Sequence, residues 1–239
     1  MIKTAQYTDK GGRPCNEDSV AVIRHDDNSV LAILCDGLGG QGGGDVASGI
    51  AVRTFETGWD GTADIEKLKL LAAEANEKIL EQQTAQCRMM STLALAAVCG
   101  DKATVIHTGD SRIYHFYNSK IQFQSTDQSV PQISVMMGEI TADQIRFHPN
   151  RNQIIHALGE ETGPSLVCNE FTLEHGKHSF LLCSDGFWEY VLEDQMERSL
   201  NRSLSPGKWL SSMKKTMSIN PSRGADCDNN SAAVIWVKI

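Results

Sequence analysis

The stretch Val30-Leu31-Ala32-Ile33-Leu34-Cys35-Asp36-Gly37-Leu38-Gly39-Gly40-Gln41-Gly42-Gly43-Gly44 constrains the fold more than any other part of the chain. Its apolar half reads as a buried strand. That strand delivers one carboxylate, Asp36, into a loop whose glycines let the backbone approach another group closely. Glycine loops after strands serve two chemistries: backbone N–H groups that cradle a phosphate, or a carboxylate and a carbonyl turned toward a metal ion. The rest of the chain must decide between them.

A chain of 239 residues is long enough to bury most of its apolar surface without disulfide staples, and one domain spanning 1–239 is expected. No apolar run approaches the roughly 18 residues of a membrane span, and the N-terminus lacks the apolar core of a signal peptide, so the expected location is the cytoplasm. The net charge of −8 argues against nucleic acid and anionic membranes as partners, since both require clustered Lys and Arg. The seven cysteines are scattered without a C-x-x-C pair, and Cys35, Cys99 and Cys183 read as small core residues.

Residues 2–8 and 19–24 have strand composition and flank a polar loop. Val46, Ile50, Thr54 and Phe55 share a helical face, and Ile65, Leu68, Ala72, Ala75 and Ile79 define a second amphipathic helix. From 93 to 123, four short β runs separated by turn residues read as hairpins. Segment 127–158 reads as an insertion beside the sheet, with Thr141-Ala142-Asp143-Gln144 as a capping start for a short helix. Strands at 166–172, 178–183 and 231–237 and helical patterns within 186–218 complete the chain. Hairpins imply antiparallel sheets, and helix pairs before and after them imply a layered α/β sandwich.

The strand ends carry the chemistry. Asp36 and Asp185 each follow an apolar strand and precede glycine, Asp110 lies in a turn between strands, and Asp228 stands just before the last strand. At one end of a packed sheet, these carboxylates would repel by roughly 4 kcal/mol per pair at about 4 Å and an effective dielectric near 20. Such a cluster needs cations. All-oxygen donor sets select hard ions such as Mg²⁺ or Mn²⁺. Taken singly, each Asp-Gly is more often a turn than a ligand; together, four aspartates at strand ends, two of them before glycine, favour the ligand.

These residues resemble the metal-dependent protein phosphatases of the PPM (type 2C) class, especially the bacterial members. The resemblance runs through Arg13-Pro14-Cys15-Asn16-Glu17-Asp18, Asp36-Gly37-Leu38-Gly39-Gly40, Met90-Ser91-Thr92-Leu93, Gly109-Asp110-Ser111-Arg112, Thr126-Asp127, His156-Ala157-Leu158-Gly159, Ser184-Asp185-Gly186 and Asp228-Asn229-Asn230-Ser231. It implies a four-layer α-β-β-α sandwich of two mainly antiparallel sheets, with a flap subdomain at about 127–158. It implies hydrolysis of phosphoserine and phosphothreonine by a hydroxide held between two Mn²⁺ or Mg²⁺ ions. Asp36 would bridge the ions, the Gly37 carbonyl would complete one, and Asp185 and Asp228 would hold the other. Glu17 would accept from metal-bound waters, and Asp110 with Asp185 would take a third, weaker ion. Arg13 would grip the substrate phosphate. The implied partners are phosphorylated proteins, a cognate serine/threonine kinase among them, and the expected state is a monomer.

The chain departs from the family in three places. Leu38 stands where many eukaryotic members carry histidine, Gln128 where bacterial members often carry histidine, and Ser231 where threonine is usual. Three rival readings are weaker. Gly37-Leu38-Gly39-Gly40-Gln41-Gly42 fits a dinucleotide fingerprint, but a second helix replaces the strand that should follow, and Asp36 would face an anionic pyrophosphate. An aspartyl nucleophile lacks its second Asp two residues on. A catalytically impaired scaffold would have no need of intact Asp36, Asp185 and Asp228.

Overall fold

A computed structural model describes residues 1–39, 42–220 and 223–239; Gly40 and Gln41 of the glycine stretch lie outside the described residues. One sheet contains β1 (Ile2–Asp9), β11 (Asn230–Lys238), β10 (Lys177–Cys183), β7 (Arg112–Tyr117) and β8 (Lys120–Gln124), in that spatial order. The other contains β2 (Asp18–Arg24), β3 (Ser29–Leu38), β5 (Leu93–Cys99), β6 (Lys102–Thr108) and β9 (Val167–Thr172), with β4 (Met90–Ser91) added to the end of β3. Every pairing between these strands is antiparallel.

Three apolar layers account for the sandwich. Leu31, Ile33 and Leu95 pack under Phe55 of α1 (Gly44–Gly58) and Ala72 and Ile79 of α2 (Ile65–Gln82). Val30, Ala32 and Leu34 face the opposite sheet, against Phe180, Leu182 and Ile235. Leu181 and Val234 carry the third layer, against Trp209 and Met213 of α6 (Pro206–Ser218), which pairs with α5 (Glu193–Arg202). β3 is apolar from Val30 to Cys35 because both its faces are buried there and alternate residues serve different layers. The helix starts are set locally: the Asp64 carboxylate accepts from the Glu66 and Lys67 N–H groups, and the Ser205 hydroxyl accepts from Lys208 N–H ahead of Pro206.

The structure corrects several expectations. β3 continues through Asp36, Gly37 and Leu38, so the carboxylate sits on a strand and not in a loop: Asp36 pairs with Asp18, Gly37 with Ser91 and Leu38 with Met90. In α1 the inward face is Ala47, Ala51 and Phe55, while Val46 is exposed. Small residues are required there because a Cβ on Gly37 would collide with the Gly44 carbonyl, so the helix start lies directly on the strand. β5–β6 and β7–β8 are hairpins, but β6–β7 is not; that connection crosses from one sheet to the other and carries Asp110. Cys35 and Cys183 are buried as expected, and Cys99 is half-buried. Within 127–158, α3 (Val130–Met136) was not expected, whereas the short helix after Thr141 is a 3₁₀ turn, Ala142–Phe147, closed by Thr141 N–H donating to Gln144 Oε1 at 2.8 Å.

Candidate active site

Arg13, Glu17, Asp36, Gly37, Asp110, Asp185 and Asp228 all line one cavity of ≈ 620 Å³ at one end of the sandwich. Strand direction explains the convergence: β3 and β10 end there, β11 begins there, and the β6–β7 crossing passes between them.

The main chain of Glu17, Asp36 and Asp110 is held by side chains from other elements. Asp36 N–H donates to Thr92 Oγ1 at 2.9 Å, and the Asp36 carbonyl accepts from Thr92 N–H at 2.8 Å and Ser91 Oγ at 3.1 Å. With its main chain satisfied in this way, its carboxylate makes no hydrogen bond among the described residues. Asn229 clamps the loop that carries Arg13 and Glu17: its Oδ1 accepts from Glu17 N–H at 2.8 Å, and its Nδ2 donates to the carbonyls of Lys10 at 2.8 Å and Cys15 at 3.0 Å. Asp110 follows Gly109, whose φ of 92° admits the turn, and its carbonyl accepts from Trp188 Nε1 at 3.0 Å. Gln128 ties this crossing down by accepting from Thr108 Oγ1 and Gly109 N–H, both at 2.9 Å, and donating to the Ser165 carbonyl at 3.1 Å. The departure from histidine at 128 therefore keeps an anchoring role.

Sequence reasoning missed Asp18 and Asn229. Asp18 is buried, accepts from Ser184 Oγ at 2.9 Å, and leaves its Oδ1 with no partner among the described residues. It belongs to the first motif, but its place opposite Asp36 depends on strand register, which local pattern does not show.

Burial dominates the electrostatics. It holds the Asp36 and Asp185 carboxyl groups well above the usual range, reinforced for Asp36 by Asp18, Asp185, Asp110 and Asp228, and for Asp185 by Asp110, Glu189, Asp228 and Asp18. Burial, followed by Asp127, pushes Asp110 to about 7. Burial also pushes Asp18 to about 6 against the opposing hydrogen bond from Ser184, and raises Glu17. Arg13 answers part of this charge: its Nη2 lies 2.7 Å from Asp228 Oδ2, so the guanidinium expected at the phosphate is bound to a carboxylate.

Among the described residues, no three His, Cys, Asp or Glu side chains close into a cage around a single point. The carboxylates stand apart around a shared cavity, as mutually repelling anions do, and Asp228 is drawn to Arg13. The donor set is nonetheless all oxygen, at least partly buried, and largely without internal cations, which fits hard divalent ions that retain waters.

A known family and known structures match this arrangement. The protein phosphatase 2C profile matches residues 9–225. The serine/threonine phosphatase stp of Listeria welshimeri is 34% identical over 211 residues, covering 83% of each chain. The Mycobacterium tuberculosis serine/threonine phosphatase PstP/Ppp superposes with a TM-score of 0.84 at 27% identity, over 100% of this chain and 99% of that one. The catalytic domain of PstP in complex with two manganese ions superposes at 0.81, with 26% identity over 99% of each chain. The chain belongs to the protein phosphatase 2C family, a family of hydrolases.

Proposed function

We propose that this protein hydrolyses phosphoserine and phosphothreonine monoesters on other proteins, using two divalent ions, manganese or magnesium, in the carboxylate cavity. The observation that carries the reading is the assembly of seven motif residues, drawn from both ends and the middle of the chain, around one cavity in a member of this family. The manganese in the PstP relative supports the choice of ion. In this reading Asp36, the Gly37 carbonyl, Asp185 and Asp228 would hold the two ions. Asp110 with Asp185 would hold a third, weaker ion. When bound, the ions lower the pKa of water toward about 7 and offset phosphoryl charge.

The chain's own residues do the rest. Glu17 accepts hydrogen bonds from water in the cavity. Arg13 presents a planar fork of donors suited to phosphate once Asp228 no longer engages it. Leu38 carries no proton, so it supplies none to the leaving alkoxide. We also propose that 127–158 acts as a flap on a single domain that works as a monomer in the cytoplasm, on phosphorylated proteins that include a cognate kinase. Asn152 and Ile154 of that segment line the cavity, which supports the flap role. Among the described residues no helix is long and apolar enough to cross a membrane.

The test is Mn²⁺-dependent hydrolysis of p-nitrophenyl phosphate. Asp36→Asn should lose on the order of a thousandfold in activity with an unchanged circular dichroism spectrum. An inactive wild-type protein, or a fully active variant, overturns the reading.

A further inference from the structure

The end of the sandwich away from the carboxylate cavity has the opposite character. β10 starts there at Lys177, β11 finishes there at Lys238, and β1 starts beside them. Since β10 and β11 reach the cavity at their other ends, the two poles are separated by the length of a strand, about 20 Å. Two grooves that share Ser203 and Leu204 run over this pole, with volumes of ≈ 430 and ≈ 590 Å³. Their linings contain six cations, Lys3, Lys177, Lys238, Arg198, Arg202 and Lys208, and no Asp or Glu.

In a chain with 30 acidic and 22 basic residues, such segregation is opposite to the overall balance. It is also unfavourable for the isolated fold. Lys177 and Lys238 are cross-strand partners, and like charges directly opposite on an antiparallel pair repel. Trp236 pairs with both Lys3 and Ser179, so Lys3, Lys177, Lys238 and the indole share one face of the sheet. Among the described residues only Arg198 of the six has an ion-pair partner, Asp194 at 2.7 Å. Where the two grooves meet, Leu204, in the turn between α5 and α6, is 82% exposed. An apolar side chain centred among unpaired cations fits a ligand that is anionic and carries its own apolar residue.

We propose that this basic pole is a docking surface for an acidic segment of the phosphoprotein substrate, with Glu and Asp side chains against the lysines and an apolar residue seated on Leu204 beside Trp236. The proposal rests on the phosphatase reading for the identity of the partner, but the surface itself is independent of the catalytic cavity. The segment would hold the substrate at a distance from its phosphorylated residue, so that docking raises the local concentration of phosphate at the site without adding a contact to it. A concave, paired groove with an apolar centre suits a peptide better than a flat lipid surface.

The experiment uses the full chain and two readouts. In the first, a fluorescein-labelled peptide of Glu, Asp and Leu is titrated by anisotropy. Wild type should bind it, binding should weaken as salt rises, and the variant combining K3Q, K177Q and K238Q should bind at least about tenfold more weakly. In the second, a phosphothreonine peptide is compared with and without that acidic segment appended through a flexible linker. The appended segment should lower KM for wild type and not for the triple variant, with kcat unchanged. Turnover of p-nitrophenyl phosphate should be the same in wild type and variant. If that turnover is absent in wild type, the phosphatase reading fails while the anisotropy result still judges the surface. Equal peptide binding by wild type and variant overturns the docking surface, as does equal binding of a lysine-rich peptide. So does binding to phosphatidylserine vesicles in preference to the peptide.

Discussion

Two clusters of buried charge lie side by side in this protein, and they are built on opposite rules. Around Arg112, every charge is answered from within. Arg112 and Asp127 have side chains only 3% and 2% exposed and meet in a fork, Nε to Oδ1 at 2.8 Å and Nη2 to Oδ2 at 2.7 Å. Trp188 lies 3.6 Å beneath the guanidinium, and Glu193 gathers Arg146 at 2.6 Å and Tyr114 Oη at 2.9 Å. Around Asp36, Asp18 and Asp110 are buried and Asp36 and Asp185 half-buried, with few donors and one engaged arginine at the mouth. Asp110 belongs to both clusters through Trp188, which stacks on Arg112 and donates to the Asp110 carbonyl. A buried charge that the fold satisfies serves the fold, and one left open is available to something the fold does not contain.

The contrast can be broken by mutation, and the largest effect is expected in the satisfied cluster. Asp127→Asn leaves Arg112 buried without its counter-charge and should cost about 3–5 kcal/mol in urea denaturation. In the open cluster the sign should reverse. Asp36→Asn in metal-free protein removes a repelled carboxylate and should leave stability unchanged or raise it by about 1 kcal/mol, while abolishing activity. A loss comparable to that of Asp127→Asn would show that Asp36 is structural.

Proton linkage sharpens the same point. Asp36, Asp185 and Asp110 have folded pKa values above their unfolded ones, so the native state holds more protons, and the stability they contribute at low pH is lost as pH rises through those values. His107 and His115 act oppositely: burial lowers both to about 4, so they penalise the native state below the ordinary histidine value of about 6.5. Between pH of about 8 and 6.5 Asp110, pushed to about 7, titrates without that opposition. Metal-free protein should therefore gain melting temperature on acidification through this window, and excess Mn²⁺ should remove the gain. A flat profile without metal would mean that the cluster is already neutralised from within. The smallest effect is expected at the rim, where Arg13 and Asp228 are 49% and 38% exposed. Arg13→Ala should change stability by less than about 1 kcal/mol and raise KM for phosphopeptides severalfold with little change in kcat. An unchanged KM would remove Arg13 from the substrate.

Much of this molecule is legible along the chain because its signals are local. The order of strands and helices follows from apolar periodicity, and an apolar run followed by Asp-Gly marks Asp36 and Asp185 from a few neighbouring residues. A layered α/β sandwich follows from the placing of helix pairs around hairpins, and the count of four layers from the family resemblance. The tertiary structure alone decided what depends on register and on which strand ends meet. It set Asp18 opposite Asp36, carried Asp110 from one sheet to the other, turned Val46 outward, and bound Arg13 to Asp228. It also gathered Lys3, Lys177 and Lys238 at one pole, although nothing in their local surroundings marks them as neighbours. Antiparallel pairing joins residues far apart in the chain, and a one-residue slip would reverse every face; such contacts are chosen by the packing of the whole core and not by any segment within it.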